Sequence, residues 1–184
     1  MKRESVMIIE YEWRIKMKLI AAVDQNWGIG LNNQLLVNIP SDKRYFKSLT
    51  EHNVVVMGRK TYESLPGKRA LENRINIVLT KNSEFQAKGF LVAHSLEELF
   101  RLLKSYEEKE VFAIGGQTVY EQLAPYCDEA FITKIDYAYH ADRYCPNLDK
   151  AKDWQMVGIS EEETYYDLEY YFCKYQNKNI TKIS

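Results

Sequence analysis

Four consecutive apolar residues, Val54-Val55-Val56-Met57, restrict this chain more than any other stretch. The valines are β-branched and no polar residue alternates with them, so an extended segment here must be covered on both faces. That is the pattern of a central strand in a mostly parallel sheet with helices above and below. The rest of the chain supplies the alternation such a sheet needs. Strands are read at Lys18–Val23, Asn53–Met57, Asn76–Thr80, Phe90–Ala93, Val111–Ile114 and Glu129–Ile135. Between them, Ser41 is read as the cap of a helix ending near Glu51, and a short helix opens at Gly58 and runs through Ser64. Ser95 caps a helix from Leu96 to Tyr106, and a last helix runs to Leu123. Trp154–Ile159 and Leu168–Tyr175 alternate, which predicts an antiparallel pair closing one edge of the sheet. The expected fold is therefore α/β, a central, mostly parallel twisted sheet with an antiparallel C-terminal edge and helices on both faces.

At 184 residues with 46% hydrophobic content, the chain is expected to form one domain over residues 17–176. Residues 1–16 do not continue its pattern and read as an N-terminal extension, with Met17 as a candidate natural start. Residues 177–184 read as a loose polar tail. A net charge of −1 points to neither nucleic acid nor an anionic membrane, and no apolar run approaches the roughly 20 residues of a spanning helix. Cys127, Cys145 and Cys173 are far apart and lack a C-x-x-C spacing, so they read as reduced thiols of a cytoplasmic protein. His52, His94 and His140 are equally dispersed, and no metal site is expected.

Ligands of open α/β sheets sit at the carboxyl ends of strands. Several suggestive residues follow strands here. Asp24–Gln34 is rich in Gly and Asn and reads as a long irregular loop of the binding or lid kind. Gly28-Ile29-Gly30 is not a dinucleotide fingerprint, since Asn33 stands where a third glycine would. Asp42, Tyr45, Phe46 and Leu49 share one helical face, so an acid heads an apolar stripe. Spacing alone leaves Asp42 either a solvated first-turn acid or a half-buried carboxylate at a pocket floor. Gly58-Arg59-Lys60-Thr61 reads either as a phosphate site at a helix start or as a surface turn with a solvated basic pair. Gly115-Gly116 lets backbone approach a ligand at the turn into the last helix.

The order of these pieces resembles the bacterial dihydrofolate reductases. The resemblance rests on Leu19-Ile20-Ala21-Ala22, Gly28-Ile29-Gly30, Asn38-Ile39-Pro40-Ser41-Asp42, Tyr45-Phe46-Lys47, Val56 to Ser64, Asn73 to Thr80, Ile114-Gly115-Gly116 with Val119-Tyr120, and Thr133-Lys134-Ile135-Asp136. It implies NADPH-dependent reduction of 7,8-dihydrofolate to tetrahydrofolate, by hydride transfer to C6 and protonation of N5. It implies Asp42 as the group that binds and polarises the pterin, with Thr133 supporting it by a hydrogen bond. Ile20, Ala22, Phe46, Leu65 and Ile114 are implied as the substrate pocket walls, with Arg74 gripping the glutamate carboxylate. On the coenzyme side it implies Ala22, Ile29, Gly30, Gly58, Arg59, Lys60, Thr61, Thr80, Lys81, Ile114, Gly115, Gly116, Gln117, Thr118, Val119 and Tyr120. The loop Asn26–Leu36 is implied as a lid, braced by Asp142.

Several positions depart from the family pattern, among them the loop Pro66-Gly67-Lys68-Arg69-Ala70 after the short helix, which bears on the benzoyl-side contacts. Leu36-Val37 stands where Pro-Trp is usual, which changes the surroundings of the proton-delivering water. Lys43 stands where an apolar residue is usual, either laying its stem over the pocket or drawing in the glutamate tail. A same-fold pyrimidine reductase of riboflavin synthesis and a non-catalytic nucleotide-binding homologue are the alternatives. The first has no need of an acid on an aromatic stripe paired with Arg74, whereas Val37 and Lys43 leave the second open. A monomer is expected, with the Tyr-rich segment Asp136–Tyr144 leaving a dimer open.

Overall fold

The computed structural model describes residues 14–183, so the reading of residues 1–16 falls mainly outside it. In chain order the elements are β1 (Met17–Val23), β2 (Gly28–Leu31), β3 (Gln34–Leu35), α1 (Pro40–Thr50), β4 (Val54–Gly58) and α2 (Arg59–Ser64). They continue with β5 (Ile75–Leu79), β6 (Leu91–Ala93), α3 (Leu96–Leu103), β7 (Val111–Ala113), α4 (Gln117–Leu123) and β8 (Glu129–Ile135). The last are β9 (Arg143–Tyr144), β10 (Trp154–Ile159), β11 (Glu163–Tyr165) and β12 (Leu168–Asn177).

The main sheet runs β10-β12-β8-β1-β7-β4-β5-β6, with β11 also against β12. Every pairing from β8 across to β6 is parallel. β12 turns the sheet antiparallel at β8, and β10 and β11 pair antiparallel with β12. The apolar run of β4 explains the layering. Val54 and Val56 pack with Leu99 and Leu103 of α3 and with Val119 and Leu123 of α4. Val55 and Met57 pack on the other face with Phe46 and Leu49 of α1. All four β4 side chains have no exposed surface, which is why none could be polar.

Local structure departs from expectation in several places. α1 begins at Pro40, with Ile39 in the cap position, rather than being capped by Ser41. Proline at the first helical position presets φ and gives up an amide that would have had no helical partner. Ser41 is thereby placed inside the first turn, where its hydroxyl pairs with that of Tyr170 on β12. The Gly- and Asn-rich stretch is not irregular throughout. β2 and β3 form a hairpin whose turn residues Asn32 and Asn33 hold φ of 50° and 61°. Asparagine tolerates the left-handed region that tight hairpin turns require, so the composition that suggested a loop instead marks the turn. β9, inside the supposed Tyr-rich loop, adds a third strand to this small sheet. β11 also escaped the alternation pattern; it joins β12 through Tyr166, at φ of 53°.

The C-terminal segment is tied down rather than loose. Asn177 is buried and donates from its amide to Cys127 O at 3.0 Å, while its backbone N–H reaches Asp128 O at 2.9 Å. Beyond it, Lys178 N donates to Asp153 O and Thr181 N to Pro125 O, both at 2.8 Å. The cap of α3 is as expected, with Ser95 Oγ accepting from Glu98 N at 3.1 Å.

Asn76 on β5 staples the segment that carries Arg74. Its buried side chain accepts from Leu71 N at 3.0 Å and donates to Leu71 O at 2.9 Å and to Arg74 O at 3.1 Å. Asn76→Leu keeps the volume but strands one donor and two acceptors. A loss of about 1–3 kcal/mol is expected in urea denaturation, the cost of unsatisfied buried polar groups. A variant as stable as the wild type would show that these groups find other partners.

Candidate active site

Asp42 is half-buried on the first turn of α1, facing the carboxyl end of β8. Thr133 Oγ1 on β8 donates to its Oδ1 at 2.5 Å. Desolvation raises the carboxyl pKa above its ordinary value, and the Thr133 hydrogen bond lowers it only in part. A carboxylate so placed favours a ligand that offers N–H groups or positive charge. The walls are apolar. Ile20, Phe46, Leu65 and Ile114 belong to one cluster, while Ile39, Ala22, Val37 and Phe172 belong to another. Asp42 lies in sequence between Ile39 of one cluster and Phe46 of the other, three and four residues away along the helix. Ala22 is in register beside Thr133, and Ile114 donates from its backbone to Val56 O, just past the end of β7.

At the far end of α1, Arg74 is anchored by its own loop. Its Nε donates to Glu72 O at 2.8 Å and its Nη1 to Thr50 Oγ1 at 3.1 Å. Burial pulls the guanidinium down from its ordinary pKa, with Glu51 and Glu72 pushing it back up. Lys43 is exposed beside Asp42.

At the carboxyl ends of β4, β5 and β6 lies a cleft of about 750 Å³. Gly58, Arg59, Lys60 and Thr61 form one wall, Thr80 and Lys81 a second, and Gly116, Gln117, Thr118 and Val119 a third. The lining carries the cations Arg59, Lys60, Lys81 and Arg143 against the single carboxylate of Asp142. That balance, and a volume in the usual range for cofactor sites of about 300–1,000 Å³, fit an elongated polyanion. Backbone approaches closely where two strands end. A Cβ on Gly116 would stand 3.6 Å from Thr61 Oγ1, and one on Gly58 3.3 Å from Val119 Cγ2. Gly115 holds φ of +109°, and a side chain there would press on the Tyr120 ring at 3.2 Å. α4 has no side-chain cap, so its first amides have no helical or capping partner.

The β2–β3 hairpin closes one side of this cleft through Asn32 and Asn33. Asp142 braces it as expected: its N donates to Gly30 O at 3.0 Å and its Oδ2 accepts from Asn32 N at 3.1 Å. The root of the hairpin is held by Asp24. This buried carboxylate accepts from Gly28 N at 2.7 Å, Asn26 N at 2.9 Å and Tyr139 N at 2.9 Å.

The structure thus gathers Gly58, Arg59, Lys60, Thr61, Thr80, Lys81, Gly116, Gln117, Thr118 and Val119 around one cleft. Ala22, Ile29, Gly30, Ile114 and Gly115 are not among its lining residues. Tyr120 stands behind the glycines, fully used in the core. Its hydroxyl donates to Ile20 O at 2.7 Å. His94, Ser95 and Leu96 also line the cleft and were missed. They follow β6, so the carboxyl-end rule that pointed to Thr61 and Thr80 would have found them. Arg143 was missed because β9 was read as loop.

The dihydrofolate reductase family model matches residues 16–177 of the chain. The dihydrofolate reductase of Bacillus subtilis is 37% identical over 170 residues, covering 90% of this chain and 97% of that protein. That of Staphylococcus haemolyticus is 37% identical over 168 residues, covering 88% and 96%. Among solved structures, Enterococcus faecalis dihydrofolate reductase complexed with NADP(H) and RAB-propyl superposes with a TM-score of 0.77. It is 32% identical and covers 89% of this chain and 98% of that one.

The raised pKa of Asp42 fixes the sign of a stability effect. The folded chain keeps this proton to higher pH than the unfolded chain does. The contribution is therefore full below the ordinary carboxyl pKa and is lost as pH rises through the raised folded value. Asp42→Asn removes this penalty while keeping an acceptor for Thr133. Urea denaturation at neutral pH is expected to find the variant more stable than the wild type, with the advantage vanishing in acid. A variant less stable at neutral pH would contradict the desolvation account.

Proposed function

The chain belongs to the dihydrofolate reductase family, and from that premise we propose how its own residues act. The protein reduces 7,8-dihydrofolate to 5,6,7,8-tetrahydrofolate with NADPH, an oxidoreductase step that supplies reduced folate to one-carbon metabolism. The observation that carries the residue assignment is the half-buried Asp42 carboxylate, held by Thr133 among apolar walls, in a fold that also holds a cation-lined cleft.

Asp42 accepts two hydrogen bonds from the pterin, one from its 2-amino group and one from ring N3. This bidentate, charge-assisted pairing offsets the desolvation of the carboxylate. It fixes the ring plane and polarises the pterin toward protonation at N5, with water delivering the proton. Thr133 keeps Asp42 in place. Ile20, Ala22, Phe46, Leu65 and Ile114 exclude water from the rest of the ring and the benzoyl group. Arg74 receives the glutamate α-carboxylate with its planar fork, a task for which lysine lacks the geometry. The spacing supports this pairing: Thr50, which Arg74 touches, lies eight residues beyond Asp42, about 12 Å along the helix at 1.5 Å per residue.

When bound, NADPH supplies the hydride. Gly115, Gly116, Gln117 and Thr118 cradle its pyrophosphate, with Gly58 and Val119 shaping the wall behind. Arg59, Lys60, Thr61, Thr80 and Lys81 meet the adenosine phosphates and favour the phosphorylated coenzyme. Ala22 and Ile114 sit toward the nicotinamide, with Ile29 and Gly30 facing it from the β2–β3 lid. Val37, in place of the usual Trp, packs with Ala22 and Ile39 and so changes the surroundings of the proton-delivering water. The protein is taken to act as a cytoplasmic monomer. Its three cysteines are free and buried, in keeping with a reducing compartment.

Two measurements test these roles. Dihydrofolate-dependent oxidation of NADPH is expected in the wild type, with kcat/KM falling at least about 100-fold in Asp42→Asn, the scale of a single preorganised polar partner. Activity that survives the substitution would assign pterin orientation to another group. Arg74→Lys is expected to raise KM for dihydrofolate at least about tenfold with kcat little changed, the signature of lost uniform binding. An unchanged KM would leave Arg74 as a structural brace of its loop.

A further inference from the structure

The coenzyme reading leaves one charge unassigned. If Gly116, Gln117 and Thr118 meet the pyrophosphate, they do so without a cation. The first turn of α4 carries no charged side chain. Gln117 is itself engaged, its Oε1 accepting from Tyr144 N and its Nε2 donating to Glu121 Oε1, both at 2.9 Å. Across the cleft, Arg59 is held by Glu63 at 2.5 Å, and Lys60 and Lys81 stand at the ends of β4 and β5. Arg143 is different. It is exposed, lines the cleft, and sits on β9 one residue before the Tyr144 amide that binds Gln117. Its guanidinium makes one hydrogen bond among the described residues, from Nη1 to Asp142 O at 2.8 Å. The Asp142 carboxylate does not neutralise it, being turned to Asn32 N in the lid. Nε and Nη2 are left to a ligand, in the fork geometry that suits phosphate oxygens.

We propose that Arg143 is a coenzyme-binding residue whose guanidinium meets the pyrophosphate opposite Gly116–Thr118. It supplies from the strand behind the lid the positive charge that α4 lacks. β9 pairs with β2 at Gly30↔Arg143, so the same contact holds the lid hairpin against the bound coenzyme. The assignment rests on the coenzyme reading above.

Direct calorimetric titration of the purified full chain with NADP+ and with NAD+ separates the possibilities. Both nucleotides carry the pyrophosphate, and only NADP+ carries the 2′-phosphate. Arg143→Gln is expected to raise Kd for both by about tenfold and to flatten the salt dependence of binding, as loss of one charge-assisted phosphate contact does. Arg143→Lys should fall between, keeping charge but not the fork. Lys81→Gln serves as the contrast and should weaken NADP+ alone. Unchanged affinities in Arg143→Gln would overturn the assignment. So would a loss confined to NADP+, which would put the guanidinium at the 2′-phosphate. A wild-type chain that binds neither nucleotide would overturn the coenzyme reading itself, and a Lys81→Gln loss common to both would overturn its phosphate assignments while leaving the Arg143 result to stand on its own.

Discussion

Burial of β4 on both faces is the constraint from which the rest follows. With α1 on one side and α3 and α4 on the other, neither face of the parallel sheet is open to a ligand. Polar groups that do chemistry are confined to where strands end and the chain turns. Asp42, Thr61, Thr80, Gly116 and Thr133 lie at such ends or on the helices that follow them. The two halves of the site, one apolar around a carboxylate and one lined with cations, are a consequence of placing different turns along one sheet edge.

Asp42 shows how such a site works against the stability of the fold that carries it. Its carboxylate is partly removed from water, and one threonine hydroxyl replaces only some of the lost solvation. The fold therefore stores an unfavourable interaction, one that a ligand with two correctly spaced N–H groups would relieve. Apolar walls do not choose between ring orientations, whereas a bidentate carboxylate does. Specificity and instability here have one source.

Much of this was legible in the chain because the signals were local and strong. The valine run, the Ser95 cap and the Gly115-Gly116 turn each carry their own physical reason, and each lies where the sequence put it. What could not be read depended on contacts distant in sequence. Ser41 looked like a cap because its type suits one, yet Pro40 took the first helical position and Tyr170, 129 residues away, took the hydroxyl. β9 has two residues, too few for any alternation to show, and exists because Gly28 and Gly30 offer it a neighbour. The same blindness hid Arg143. Tyr120 follows Gly115-Gly116, and its position was equally unreadable: its ring fills the space behind them and its hydroxyl reaches Ile20 O, 100 residues away.

The root of the lid carries an indole in an unusual setting. Trp27 is buried at the start of the hairpin, with the Lys134 ammonium 5.6 Å from its ring and Tyr175 edge-on at 6.0 Å. Lys134 is in turn held by Asp149, which also accepts from the Tyr175 hydroxyl. A fixed positive charge over an excited indole biases its emission wavelength, so a small shift of the hairpin changes the colour of the light it gives. The chain thus carries an intrinsic fluorophore at the root of the β2–β3 hairpin, one that reports optically on the packing of that root without any attached label.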